Sequence, residues 1–151
     1  MKEVGSDVMS SPNDAATILV IDDHVALAQG FAQALTGAGY KALVAHTADI
    51  ALREAQLHQP EAIILDFQMP FINGAGFLYR LRANEDLRRT PVLVITGQTL
   101  TDEVRAELRE LGAQVRTKPL GLADLLTETR ALVQRGHDER ASDSAKGPPR
   151  I

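Results

Sequence analysis

The sequence predicts an α/β fold in which a parallel sheet is wrapped by helices on both faces. Three observations predict it. Five short runs rich in aliphatic residues recur along the chain, each followed by a longer stretch with apolar residues at helical spacing. The strongest runs are continuous rather than alternating, as strands buried on both faces should be. A regular strand–helix alternation requires parallel pairing, with right-handed crossovers carrying the helices.

The elements follow in order. Ile18-Leu19-Val20-Ile21 is the first strand, and Ala28, Phe31, Ala32 and Leu35 mark the first helix. Ala42-Leu43-Val44-Ala45 leads into a helix with Ala48, Ala51, Leu52 and Ala55 on one face. Ile63-Ile64-Leu65 is followed by Phe77, Leu78 and Leu81, and Val92-Leu93-Val94-Ile95 by Leu100, Val104, Leu108 and Leu111. Thr99 and Asp102 have capping-box spacing at the entry to that fourth helix, and Gly112 stands where it should stop. The fifth run, Gln114 to Thr117, is more polar; Leu122, Leu125, Leu126, Leu132 and Val133 mark the last helix. The first, third and fourth runs are the most apolar and should be central, with the second and fifth at the edges. That is the doubly wound, flavodoxin-like strand order 2-1-3-4-5.

A chain of 151 residues allows one domain with short extensions. Residues 1–15 and 136–151 show no periodic apolar face and are expected to be flexible tails around a folded unit at 16–135. Sixteen Lys and Arg against twenty Asp and Glu give a net charge of −4, which argues against a broad nucleic-acid surface. The chain has no cysteine, so a disulfide scaffold, a thiolate metal site and a cysteine nucleophile are excluded. No apolar run approaches the roughly 20 residues of a membrane span, and the polar, acidic N-terminus resembles no targeting peptide. A cytoplasmic domain with neither nucleic-acid nor membrane partners is expected.

The residues that end the runs carry the chemistry. The first run ends in Asp22-Asp23, the third in Asp66, the fourth in Thr96 and the fifth in Lys118. In a parallel sheet all strand C-termini lie along one edge, where open α/β sheets bind ligands. Alone, each residue would be an ordinary turn, cap or solvated side chain. Together they place three carboxylates, a hydroxyl and an ammonium in one crevice. Clustered carboxylates raise one another's pKa unless a cation intervenes, and oxygen ligands without His or Cys favour a hard ion such as Mg²⁺. A hydroxyl and a lysine facing such an ion could take phosphoryl oxygens, with one aspartate as acceptor.

With those residues in place, the chain resembles the response-regulator receiver domains of bacterial two-component signalling, in particular the stand-alone, chemotaxis-regulator-like kind. The resemblance runs through Ile18 to Asp23, Leu65 to Pro70 with Asn73-Gly74 behind, Pro91 to Gly97, and Lys118-Pro119. It implies that Asp66 accepts a phosphoryl group from a phosphohistidine on a sensor histidine kinase or phosphotransfer protein. It implies Mg²⁺ held by Asp22, Asp23, Asp66 and the backbone carbonyl of Gln68, Thr96 as switch hydroxyl, and Lys118 as phosphate contact. Such a domain would not be an enzyme in the ordinary sense. It would switch contacts with a downstream protein or relay phosphate onward. The family's bond at Pro119 is usually cis; Gln68 and Gln98 flank the expected path of hydrolytic water, and Gly97 leaves the phosphate accessible.

One position departs from the family pattern. The residue three before the lysine is usually an aromatic switch; here it is Val115, which cannot swing between buried and exposed states as a ring can. His24, His46, His58 and His137 have no ligand spacing and read as surface or loop residues, with His24 beside the acid pair. Three alternatives stand beside the phosphoacceptor. A pseudo-receiver scaffold should have lost an acid or the lysine, and all are present. A phosphohydrolase should carry a second acid two residues after the nucleophile, where Gln68 stands. A receiver fragment of a larger regulator is compatible with the polar termini.

Overall fold

The computed structural model describes residues 15–67, 74–97 and 99–146. The expectations for Gln68, Gln98, Met69-Pro70, Asn73, most of the N-terminal segment and residues 147–151 therefore lie outside the described residues.

The chain alternates as β1 (Thr17–Ile21), α1 (Val25–Gly37), β2 (Lys41–Ala45), α2 (Ala48–His58), β3 (Ala62–Asp66) and α3 (Gly74–Ala83). A 3₁₀ turn at Glu85–Leu87 precedes β4 (Val92–Thr96), α4 (Asp102–Glu110), β5 (Ala113–Thr117) and α5 (Leu122–Lys146). All five strands are parallel, in the order β2-β1-β3-β4-β5, so the most apolar runs are central as expected.

Successive strand residues face opposite sides of the sheet, and both sides are packed. Leu19, Ile21, Ile63, Leu65, Val92 and Val94 face Leu52, Phe77, Leu81 and Leu108 of α2, α3 and α4. The alternate residues Ile18, Val20, Ile64, Leu93 and Ile95 pack with Phe31, Leu35, Leu125 and Leu132 of α1 and α5. Each such side chain stabilises the fold by about 1.5–3 kcal/mol when fully buried, which explains why no polar residue interrupts these runs before their last position.

The helix ends differ from the sequence expectation in two places. Helix α4 is capped by Thr101, not Thr99: Thr101 Oγ1 accepts from the Val104 N–H at 3.2 Å. Asp102 thus occupies the first helical position, where with Glu103 it meets the positive end of the dipole instead of closing a capping box. Helix α5 does not stop near Arg135 but runs to Lys146, through 11 of the 16 residues expected to be a tail. That extension needs little burial, because residues 137–146 contain no proline or glycine and several good helix formers. His137 on the extension also pairs with Glu61, at the entry to β3. Gly112 ends α4 with φ +78°, a left-handed conformation in which a side chain is strained.

Candidate functional site

The register brings the strand ends together. Ile21 lies beside Leu65, Asp66 beside Ile95, and Thr96 beside Thr117. Asp66 and Thr96 close β3 and β4, and Asp22 and Lys118 follow one residue past β1 and β5, so all leave the sheet at the same edge with Asp23 next in the chain. Ligand atoms of Asp22, Asp23, His24 and Asp66 all fall within 4.8 Å of one another. Lys118 Nζ stands 3.2 Å from Asp66 Oδ1.

These groups are held by main-chain bonds as well as by the sheet. The Asp22 N–H donates to Ala45 O at 3.1 Å, and Asp22 Oδ1 accepts from the His24 N–H at 2.9 Å. The second bond turns the chain out of β1 into α1, whose N-cap residue His24 makes no side-chain cap bond. Phe67 N–H donates to Ile95 O at 3.0 Å and Lys118 N–H to Thr96 O at 2.7 Å, which ties β3 and β5 to β4 at the acidic edge. The Lys118-Pro119 bond is cis.

Burial sorts the acids. Asp22 and Asp66 are 3% and 5% exposed, Thr96 is fully buried, and Asp23 is more open to solvent. Burial pushes the Asp22 carboxyl above its ordinary value, and the Asp66 charge beside it pushes the same way; the His24 N–H and the Lys118 ammonium oppose them. One ammonium against three carboxylates leaves an excess of negative charge in a poorly hydrated place. That excess, with the carboxylate oxygens of three aspartates gathered together, fits a hard divalent cation.

His46 was not expected at this site. Its Nδ1–H donates to the Asp22 carbonyl at 2.7 Å, which fixes the tautomer because a carbonyl can only accept. The pairing Ile21–Ala45 accounts for it: one residue past each strand, Asp22 and His46 are neighbours. Strand order was the signal that could have found it. His24 lies with the acids, its Nδ1 3.8 Å from Asp23 Oδ1 and 4.0 Å from Asp22 Oδ1, while its side chain is 76% exposed. Val115, on β5, is partly buried against the core cluster under α4. Gly97, after Thr96, is exposed.

The fold is thus a doubly wound parallel sheet with an acid cluster and an opposed lysine at its carboxyl edge. The chain belongs to the response regulator receiver domain family, whose model matches residues 18–130. It is 33% identical over 127 residues to the response regulator MprA of Mycobacterium bovis, covering 84% of this chain and 54% of that protein. It is 29% identical over 119 residues to the probable transcriptional regulatory protein TcrX of Mycobacterium tuberculosis, covering 79% and 50%. The chain thus spans about half the length of the curated relatives it matches. Among solved structures it is similar to the chemotaxis protein CheY4 of Vibrio cholerae, with TM-score 0.73 and 29% identity over 78% of this chain and 98% of that one. A putative response regulator from Chloroflexus aurantiacus gives TM-score 0.71 and 26% identity, covering 80% and 99%. Among the described residues, no helix is long and apolar enough to cross a membrane.

Proposed function

We propose that this domain accepts a phosphoryl group on Asp66 from the phosphohistidine of a sensor kinase or phosphotransfer protein, and that the modified aspartate switches contacts with a downstream protein or passes the phosphate on. The observation that carries this reading is the Lys118 ammonium 3.2 Å from Asp66 Oδ1, beside Asp22 and Asp23. Asp66 attacks as a carboxylate, so no proton need be removed. Its oxygen bonds to phosphorus while the phosphorus–nitrogen bond of the phosphohistidine breaks, and the imidazole leaves with the electron pair.

Asp22, Asp23, Asp66 and the backbone carbonyl of Gln68 would hold Mg²⁺. When bound there, the ion offsets charge on the carboxylates and on the transferring phosphoryl oxygens. Lys118 holds its charge against the same oxygens from the opposite side, reached from β5. Thr96 supplies a buried hydroxyl at the end of β4; donating it to the new phosphoryl group would shift that strand end and the loop into α4. Val115 takes no part in an aromatic relay, so the shift is read out through β4 and the start of α4. Gln68, Gly97 and Gln98 set phosphate access and lifetime in this scheme, and Gln98→Ala is expected to change the decay rate while phosphorylation persists. The cytoplasm, where such kinases present their phosphohistidines, is the compartment that goes with this role.

Intact-mass spectrometry after treatment with a small phosphodonor tests the proposal. A magnesium-dependent gain of one phosphoryl group, absent in Asp66→Asn, is expected. No gain under conditions that label a control receiver, or equal labelling of the variant, would overturn it.

A further inference from the structure

A groove of about 960 Å³ lies along the edge of the sheet at β5, which among the described residues has a strand neighbour on one side only. None of Asp22, Asp23, Asp66 and Lys118 lines it. Seven arginines do. Arg82 comes from α3, Arg88 and Arg89 from the turn before β4, and Arg105 and Arg109 from one face of α4, a single turn apart. Arg116 on β5 and Arg135 on α5 complete the rim. Three glutamates oppose them, Glu110, Glu128 and Glu139. In a chain of net charge −4, this is a marked local reversal of sign.

The arginines are unequally committed. Arg116 pairs with Glu128 at 2.6 Å. Arg82 donates to the carbonyls of Leu111 and Leu87 at 2.8 and 2.9 Å, and so locks the end of α4 to the 3₁₀ turn. It forms no ion pair among the described residues, and burial lowers its pKa below the ordinary arginine value, with the Glu139 charge acting the other way. Among the described residues, Arg88, Arg105, Arg109 and Arg135 form no ion pair. A concave site lined by one sign of charge focuses its field on whatever enters.

The shape selects the ligand. The volume lies within the roughly 300–1,000 Å³ range of small-molecule sites. Guanidinium forks match phosphate oxygens two at a time, and converge here from several elements rather than following a track. The arginines gather about one open groove to which α4 and α5 contribute, whereas a nucleic-acid duplex needs cations spread along its backbone. Leu111, Ala113, Val115 and Pro91 supply an apolar strip for the uncharged part of a ligand. We propose that this groove binds a small molecule of nucleotide size carrying two or more phosphate groups. The proposal is independent of phosphorylation at Asp66.

Calorimetric titration of the full chain tests it, in chelator-treated, magnesium-free buffer at physiological salt. The probes are ATP, inorganic tripolyphosphate, adenosine and a polyglutamate peptide. ATP and tripolyphosphate should bind saturably and adenosine should not. The Arg105→Gln/Arg109→Gln double variant should weaken binding by about tenfold or more, while Lys118→Met, which removes the ammonium at the acidic edge, leaves binding in the groove unchanged. Glutamine keeps helix propensity, so the double variant should fold, which far-UV circular dichroism checks. Absence of saturable polyphosphate binding, or unchanged binding in the arginine variant, would overturn the proposal. Loss of binding in Lys118→Met would also overturn it, by placing the anion at the acidic edge. Tighter binding of polyglutamate than of either polyphosphate would overturn it too, and give the groove to an acidic protein segment.

Discussion

The main-chain N–H of Lys118 donates to the carbonyl of Thr96 across 2.7 Å, so the ammonium and the buried hydroxyl proposed to meet a phosphoryl group share one rung at the end of the sheet. Movement of the Thr96 strand end is therefore felt at Lys118, and the position of Lys118 depends on β4. The ammonium in turn lies against Asp66. Three strands thus contribute to one small constellation, and each of its members can be tested.

Lys118→Met keeps a long side chain but removes the charge facing Asp66. Phosphorylation by a small donor should slow by about 10²–10³-fold, the usual loss for one preorganised electrostatic contact in a transition state. The change should appear in the labelling rate, followed by mass spectrometry, rather than in the fold. A labelling rate within a few-fold of the parent would show that the ammonium does not act on the transferring group.

The acid cluster makes stability depend on pH and on a divalent cation. The native pKa of Asp22 lies above its unfolded value, so between the two the folded state binds more protons and stability falls as pH rises. The melting temperature of the magnesium-free protein should therefore decline as pH climbs from about 3.9, the ordinary aspartate value, through the raised native one. Added Mg²⁺ should restore it most above that window, where the carboxyl is charged. Asp22→Asn should flatten this part of the profile and reduce the gain from Mg²⁺. Thermal melts across pH with and without the ion provide the measurement.

His46→Ala removes the bond to the Asp22 carbonyl. The cost in stability should be about 0.5–1.5 kcal/mol, the net worth of one hydrogen bond, read from urea denaturation. Magnesium affinity should fall as well, because the turn carrying Asp22 and Asp23 loses one of its two anchors on the β2 side. His46→Asn, with a shorter donor, should recover part of the affinity. Equal affinity in all three proteins would confine His46 to folding.

Gly112→Ala should destabilise the domain by about 1–2 kcal/mol, the cost of a left-handed residue with a Cβ. The added atom would also come within 3.0 Å of Arg82 Nη2, a guanidinium held by two carbonyls. Urea denaturation reads the loss.

The strands were legible in the sequence because burial on both faces is written into consecutive residues: Ile63, Ile64 and Leu65 have nowhere polar to point. The acidic edge was legible for a related reason. Parallel strands share an edge, so the residues after Ile21, Leu65 and Ile95 had to meet once the runs were recognised. The cap of α4 was less legible, since Thr99 and Thr101 are both competent caps and only the backbone bond to Val104 separates them.

By itself, then, the sequence determined the parallel α/β architecture, its central strands and the gathering of Asp22, Asp23, Asp66, Thr96 and Lys118. All of these follow from local periodicity combined with a topological rule. Only the tertiary structure decided that His46 braces Asp22, that His137 meets Glu61, and that seven arginines line one groove. These are contacts between residues far apart in the chain, with no period to announce them. Their existence depends on the register and packing of whole elements, which the order of residues encodes only through the finished fold.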